Sequence, residues 1–213
     1  MRKAVIFDLW ETLIDWDPEA AAVMNERIDE LTEPGFRERW YAAPNRYVAP
    51  VREVLAGLGV PAEAMDDVCA ARSEFVRRCL VPRDGAVETL RTLRERGHLV
   101  GLITVCSEDV ELLWPESAFA GLFDAEVFSN AVGLSKPDPR IYLHCCSLLG
   151  VEPAEAVFVG DGANDELAGA RRVGMEALLI HRPGEEPLWP ELAKWDGPRV
   201  TSIPEVLEVL EQC

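Results

Sequence analysis

A chain of 213 residues can bury a full core, and one domain carrying an insertion is the natural expectation. With 48% hydrophobic and 28% charged residues, its composition is that of an ordinary globular protein. A formal net charge of −17 argues against binding nucleic acid or an anionic membrane face, since both need a basic surface, and no apolar run is long enough to span a bilayer. The six cysteines (69, 79, 106, 145, 146 and 213) lack Cys-x-x-Cys spacing, and none pairs with His at zinc-site spacing. The N-terminus enters a strand with no signal-peptide pattern, so the expectation is a cytoplasmic protein with reduced thiols.

In chain order, residues 3–7 form a short β-type run, and Asp8 stands at its end, ahead of Leu9-Trp10-Glu11-Thr12-Leu13. Asp17-Pro18-Glu19 opens a helix with an N-cap candidate, Pro at the first helical position and an acid in the first turn. Ala22, Val23, Ile28 and Leu31 suit one face of that helix, which stops before Pro34-Gly35. Helical stretches follow near 36–41, 51–58 and 62–80, punctuated by Pro44, Pro50, Pro61 and Pro82. Residues 15–82 therefore read as an all-helical insertion.

From Asp84 a strand–helix rhythm begins. Asp84 can cap a helix over 85–96 that Gly97 stops; strand 99–103 follows, ending in Thr104, then a helix near 108–113 and strand 125–128. Ser135-Lys136-Pro137-Asp138-Pro139 leads into helix 140–149, which Gly150 ends. Strand 156–159 runs into Gly160-Asp161-Gly162-Ala163-Asn164-Asp165 and then helix 166–173, stopped at Gly174, with strand 177–180 next. The stretch 181–198 reads as a loop packed on the surface. Ser202-x-x-Glu205 is a capping box before a last amphipathic helix over 206–210. Alternation of this kind predicts an α/β fold: a doubly wound parallel sheet built from 1–14 and 83–213, with helices on both faces.

Four candidate strands thus end in chemistry-bearing residues: Asp8, Thr104, Lys136 with Asp138, and Asp161 with Asp165. In an open parallel sheet, the C-terminal strand ends line the crevice where ligands bind. Carboxylates gathered there are costly to hold together unless a cation sits between them, and hard oxygen donors favour Mg²⁺ or Ca²⁺. The competing reading at the fourth station is that Asp165 caps a helix and Asp161 closes a turn. Alone, Thr104 is a strand-end hydroxyl and Lys136 a solvated loop residue. Their order along the chain, and the presence of only three lysines (3, 136 and 194), single them out.

Together, Phe7-Asp8 through Thr12-Leu13, Thr104, Lys136-Pro137-Asp138 and Gly160-Asp161 through Asp165 resemble the four motifs of the haloacid dehalogenase-like hydrolase superfamily. The resemblance covers nearly the whole chain, and the insertion is similar to that superfamily's helical cap domain. It implies that Asp8 is a nucleophile whose covalent intermediate is cleaved by water. It also implies a Mg²⁺ ion held by Asp8, Asp161 and Asp165, with the backbone carbonyl of Trp10 completing its shell. Lys136 would neutralise charge on Asp8 and on the transition state, and Thr104 would hydrogen-bond a phosphoryl oxygen. The implied substrate is a small phosphate ester, and the implied state a monomer or homodimer.

The pattern breaks at Trp10. Phosphatases of the superfamily resemble Asp-x-Asp-x-Thr at the first loop, and here the segment reads Asp8-Leu9-Trp10-Glu11-Thr12. An indole cannot protonate a leaving alcohol or activate water, steps typically contributing ~10²–10⁴-fold. Glu11 is the adjacent acid, but successive residues of an extended segment point to opposite sides. An aromatic at this position is similar to the 2-haloacid dehalogenase branch, whose first loop resembles Asp-x-Tyr-Gly-Thr and whose leaving halide needs no acid. That branch works without metal and carries Ser and Asn where this chain has Asp161, and Asn where Val105 stands. A Mg²⁺-dependent phosphatase is therefore the leading reading. The alternatives are a catalytically weak or non-catalytic binding relative and a dehalogenase. In a binding relative, Trp16, Trp40, Trp114, Trp189 and Trp195 would form an interface, against packing at helix ends; Trp16, at the insertion junction, would line the cleft. Arg37, Arg39, Arg46 and Arg52 are anion-binding candidates, against solvated helix charge.

Overall fold

The structure, a computed structural model, describes residues 3–182, 189–190, 192 and 195–211. Six parallel strands form one sheet: β1 (Ala4–Phe7), β2 (Leu99–Thr104), β3 (Ala125–Phe128), β4 (Ala156–Gly160), β5 (Glu176–Ile180) and β6 (Arg199–Val200), in the order β3-β2-β1-β4-β5-β6. The four residues of β1 are fully buried, and the run is apolar without alternation because helices cover both faces. Alternate side chains still divide between two cores: Val5 and Phe7 face one, Ala4 and Ile6 the other.

The strand order reverses between β1 and β4, so the crevice at their C-terminal ends is the topological switch point. Register fixes what stands there. Phe7 pairs with Leu102 on one side and Val159 on the other, and Asp8 N donates to Val159 O at 2.9 Å. Asp8 therefore lies level with the end of β4, one residue before Asp161.

The helices are α1 (Pro18–Leu31), α2 (Phe36–Ala42), α3 (Val51–Gly57), α4 (Met65–Cys79), α5 (Ala86–Glu95), α6 (Glu108–Leu113), α7 (Ser129–Val132), α8 (Pro139–Leu149), α9 (Glu166–Arg172) and α10 (Glu205–Glu211). Leu90 and Leu93 of α5 and Val206 of α10 fill one face of the sheet, and Ile141 and Tyr142 of α8 with Leu167 of α9 fill the other. The first four helices, between β1 and α5, carry a further apolar cluster that includes Ile28, Trp40, Leu55 and Val68. Asp17 caps α1 by accepting from Ala20 N at 2.8 Å. Asp138 caps α8 by accepting from Arg140 N at 2.9 Å, with Pro139 at the first helical position.

The predicted elements recur with local differences. The helix expected over 62–80 begins as a 3-10 turn at Ala62–Ala64 before α4. Residues 129–132 form the short α7, too brief for periodicity to reveal. Strand β6 has two residues, and its pairing with β5 is a tertiary event without a local signal. Of the loop expected over 181–198, residues 183–188, 191, 193 and 194 lie outside the described residues. Among the described residues no helix is long and apolar enough to cross a membrane.

Candidate active site

Asp8 leaves β1 into a tight loop in which Leu13 N and Ile14 N both donate to Leu9 O, at 2.8 and 3.1 Å. The loop brings Thr12 back, and its Oγ1 donates to Asp8 Oδ2 at 3.2 Å. Asp8 Oδ1 accepts from Lys136 Nζ, which also reaches Glu166 Oε2 at 2.5 Å. Lys136 arrives from the segment joining α7 to α8, whose Lys136–Pro137 peptide is cis and whose end is fixed by the Asp138 cap. Burial alone would lower the Lys136 ammonium, but the Asp8 and Glu166 carboxylates outweigh it and hold the group well above the ordinary lysine value.

The end of β4 supplies the rest. Gly162, at φ 88°, turns the chain so that Asp161 Oδ1 accepts from Ala163 N at 3.0 Å, while Oδ2 accepts from Trp189 Nε1 at 3.0 Å. Asn164 and Asp165 follow with positive φ, and α9 begins at Glu166. Asp165, expected as a metal ligand, and Glu166 are placed differently by that geometry. Asp165 is exposed and makes no capping bond, whereas Glu166 is fully buried and its Oε1 accepts from Gly162 N at 3.0 Å. A helical side chain leans back toward the N-terminus, which carries the first residue of α9 into the crevice. Gly160 leaves it room, since a Cβ there would collide with the Glu166 carboxylate.

One oxygen from each of Asp8, Asp161 and Glu166 lies within 4.8 Å of the others. Burial pushes the Asp8 carboxyl up and the neighbouring Asp161 adds to this, against the lowering pull of Lys136. Burial, then Lys136 acting downward and Asp8 and Asp161 acting upward, leaves Glu166 well above the carboxylate range. Three buried carboxylates against one ammonium is an excess of negative charge, and an oxygen-only donor set suits a hard divalent cation. The residues present therefore fit Mg²⁺. Thr104, at the end of β2, is fully buried, and its Oγ1 has no hydrogen-bond partner of ordinary geometry. Its side chain lies beside the Cys106 thiol, and Thr104, unlike Cys106, is not part of the cleft wall.

Glu11 (φ 54°) also lines the cleft, but its carboxylate accepts from Trp16 N at 2.7 Å and pairs with Arg83 at 3.0 Å. Burial raises it above the usual glutamate value, with the Trp16 N–H and Arg83 opposing. The Trp10 side chain stacks on Phe75 of α4, with ring centroids 6.1 Å apart and planes 5° apart.

The cleft between the sheet ends and the inserted helices has a volume of about 280 Å³. Asp8, Lys136, Asp161 and Glu166 lie at the sheet ends, and Trp10, Trp16, Phe36, Trp40, Tyr41, Tyr47, Phe75 and Trp189 contribute aromatic wall. Two cleft residues stand out: Arg72, which carried no sequence signal, and Trp189, read from sequence only as an interface or packing residue. Arg72, buried on α4, donates from Nη2 and Nε to Asp109 Oδ2 at 2.9 and 3.1 Å, and its guanidinium lies 4.1 Å from the Trp40 ring centroid. Trp189 reaches Asp161 from the far C-terminal stretch. Of the arginines singled out by sequence, Arg37 lines the cleft and pairs with Asp29, Arg39 and Arg46 donate to backbone carbonyls, and Arg52 pairs with Asp66. Trp114 is packed among Phe119, Phe123 and Phe128, and Trp195 donates to Pro198 O.

Comparison with known proteins agrees with this geometry. Residues 2–174 match the family model for haloacid dehalogenase-like hydrolases. A glyceraldehyde 3-phosphate phosphatase from Methanopyrus kandleri is 34% identical over 202 residues, 85% of each chain. Among solved structures, a HAD phosphatase from Thermococcus onnurineus superposes with a TM-score of 0.75 at 23% identity, covering 98% of this chain and 97% of that one. A 2-haloacid dehalogenase from Pseudomonas syringae superposes at 0.73 with 24% identity, covering 100% and 99%. The parallel sheet, the acidic switch-point crevice and the family match over most of its length make this chain a member of the haloacid dehalogenase-like hydrolase family.

Proposed function

We propose that this hydrolase is a Mg²⁺-dependent phosphatase acting on a small phosphate ester, with Asp8 as nucleophile. The observation that carries the reading is the convergence of Asp8, Asp161 and Glu166 beside Lys136. Displacing a halide calls for no such cluster of carboxylates, whereas bringing a dianionic ester to an anionic nucleophile calls for compensating positive charge. The similarity to an archaeal phosphatase over most of both chains supports the same chemistry.

Asp8 attacks phosphorus, the P–O bond to the alcohol breaks, and an aspartyl phosphate forms; water then attacks phosphorus and returns the electron pair to Asp8. Lys136, anchored by Glu166, orients Asp8 and stabilises charge on the transferring group. Asp8, Asp161 and Glu166, with Glu166 in place of Asp165 and the Trp10 carbonyl as a further donor, would hold Mg²⁺, which would supply the charge that offsets repulsion between nucleophile and substrate. Residues 15–82 act as a cap over the core formed by 1–14 and 83–213, and a small molecule, not a nucleic acid, is the partner of so acidic a chain. The protein works in the cytoplasm as a monomer or homodimer.

The test is hydrolysis of 4-nitrophenyl phosphate with and without Mg²⁺, in the native protein and in Asp8→Asn. Mg²⁺-dependent turnover lost in the variant is the expected result. The aromatic Trp10 keeps one second reading in play, since a leaving halide needs no acid. Turnover of 2-chloropropionate that is insensitive to EDTA would replace the phosphatase with a dehalogenase.

A further inference from the structure

We infer that the substrate is an aryl phosphate, a phosphate monoester of a phenol-type alcohol; this rests on the phosphatase reading and narrows it. Two independent observations converge on it.

The first is the inventory of acids. Four carboxylates line the cleft: Asp8, Glu11, Asp161 and Glu166. Asp8 is the nucleophile. Asp161 is held by Trp189 Nε1 and Ala163 N, and Glu166 by Lys136 Nζ and Gly162 N. Glu11 is bound to Trp16 N and Arg83. The position two residues beyond the nucleophile holds an indole stacked against Phe75. Each of the three remaining carboxylates is thus already engaged by other groups of the protein. Such an inventory suits a leaving group that departs as an anion, which a phenol (pKa ≈ 10) does far more readily than an aliphatic alcohol, whose acidity is close to that of water.

The second is the aromatic wall of the cleft. Trp10, Phe75 and Trp16 form one ring cluster, with Trp10–Trp16 centroids at 5.8 Å and Trp16–Phe75 at 4.7 Å. Trp16 keeps 44% of its surface exposed at the cleft, a large apolar face without a full partner. Trp40 and Tyr47, edge to face at 6.4 Å, also line the cleft. Ring pairs in such arrangements are favourable beyond their area burial. A cavity of ~150 Å³ is enough to take benzene, so about 280 Å³ holds one ring with its phosphate.

The transfer balances without an acid. As Asp8 Oδ–P forms, P–O(aryl) breaks and its electron pair leaves on the phenolate, which takes a proton from solvent. When water attacks, P–Oδ breaks, the pair returns to Asp8, and the water's proton passes to the departing phosphate.

The experiment compares phenyl, benzyl, ethyl and acetyl phosphates with Mg²⁺ present, reading kcat and KM separately. Phenyl phosphate should exceed benzyl phosphate in kcat by at least about 100-fold with a similar KM, because benzyl keeps the ring and loses the stable anion. Acetyl phosphate, a good leaving group without a ring, should be turned over with a KM about tenfold higher. Trp16→Ala, at a half-exposed position that threatens the fold little, should raise KM for phenyl phosphate several-fold more than KM for acetyl phosphate. Phenylphosphonate should inhibit about tenfold more tightly than methylphosphonate. Ethyl or benzyl phosphate turned over as fast as phenyl phosphate overturns the inference and leaves the phosphatase standing. Release of phosphate from none of the four overturns the phosphatase reading itself, and the inference with it.

Discussion

Lys136 Nζ and Glu166 Oε2 meet at 2.5 Å with both side chains buried, so the crevice contains an ion pair built from a loop lysine and the first residue of a helix. The same ammonium holds Asp8, and the orientation of the proposed nucleophile thereby depends on Glu166, which need not touch substrate. The crowding of charge has a consequence for stability. Burial, assisted by Asp8 and Asp161 against Lys136, holds Glu166 above its ordinary value of 4.5. Between that value and the folded one, the folded chain binds more protons than the unfolded chain, so stability falls as pH rises through this window. In EDTA, the urea midpoint should therefore drop on going upward from pH 4.5, and Glu166→Gln should flatten the slope. Saturating Mg²⁺ should raise the midpoint near pH 7 in the native protein. A midpoint that rises with pH in EDTA would contradict this account of the cluster.

Asp138 caps α8 next to the segment that carries Lys136. Its carboxylate accepts from Arg140 N and pairs with the Arg140 side chain; that side-chain bond comes first in holding it down to about 2. A depressed carboxyl contributes stability that is fully present above the unfolded value of 3.8 and is lost as pH falls toward about 2. Asp138→Ala should lower the thermal midpoint by a few degrees at pH 7, with a shrinking difference below pH 4. Because the cap fixes the segment bearing Lys136, kcat should fall more than KM rises. Unchanged kcat would separate the cap from the site.

How far this was legible follows from the physics of each signal. Apolar runs flanked by glycines and capping residues gave the sheet and most of its helices, since these patterns are local. Asp8, Thr104 and Asp161 could be placed at strand ends, which converge by topology in a parallel sheet, whereas Lys136 reaches the crevice from the segment between α7 and α8. The place of Glu166 was not legible, because whether Asp165 or Glu166 faces the crevice depends on the positive φ at Gly162, Asn164 and Asp165, which no local pattern announces. Its one sequence trace is the glycine at 160, which only the fold shows to be a gap for a carboxylate. Arg72 and Trp189 reach the site across 37 and 28 residues of chain, to Asp109 and Asp161, and long-range contacts of this kind leave no periodicity to read.

The thiols offer a check on burial. Cys79, Cys106, Cys145 and Cys146 are buried and free, and burial is the leading cause raising each, Cys146 to about 11. Cys69 is raised too but is half-buried. Since the thiolate is the reactive form, 5,5′-dithiobis(2-nitrobenzoate) at pH 8 should modify a Cys213→Ser variant quickly at Cys69 alone. The other four thiols should react only on unfolding. Rapid labelling of Cys106, which lines the cleft, would show a more open site than the structure has.

The Arg72–Asp109 pair joins α4 of the insertion to α6 of the core and is almost completely buried, at 9% and 2% side-chain exposure. Ser107 Oγ completes it, accepting from Arg72 Nη2 and donating to Asp109 Oδ2, both at 2.9 Å. Removing one partner strands a buried charge, which typically costs 3–5 kcal/mol, whereas replacing both by apolar groups can be close to neutral. Arg72→Met should therefore destabilise the protein by about 3 kcal/mol or more, and Arg72→Met with Asp109→Leu by clearly less. The same substitution removes the cation from the Trp40 face, so KM for an aromatic substrate should move even in the stabilised double variant. Chemical denaturation of the two variants beside steady-state kinetics checks both halves. Equal destabilisation in the single and double variants would mean that packing between α4 and α6, not the charge pair, holds insertion and core together.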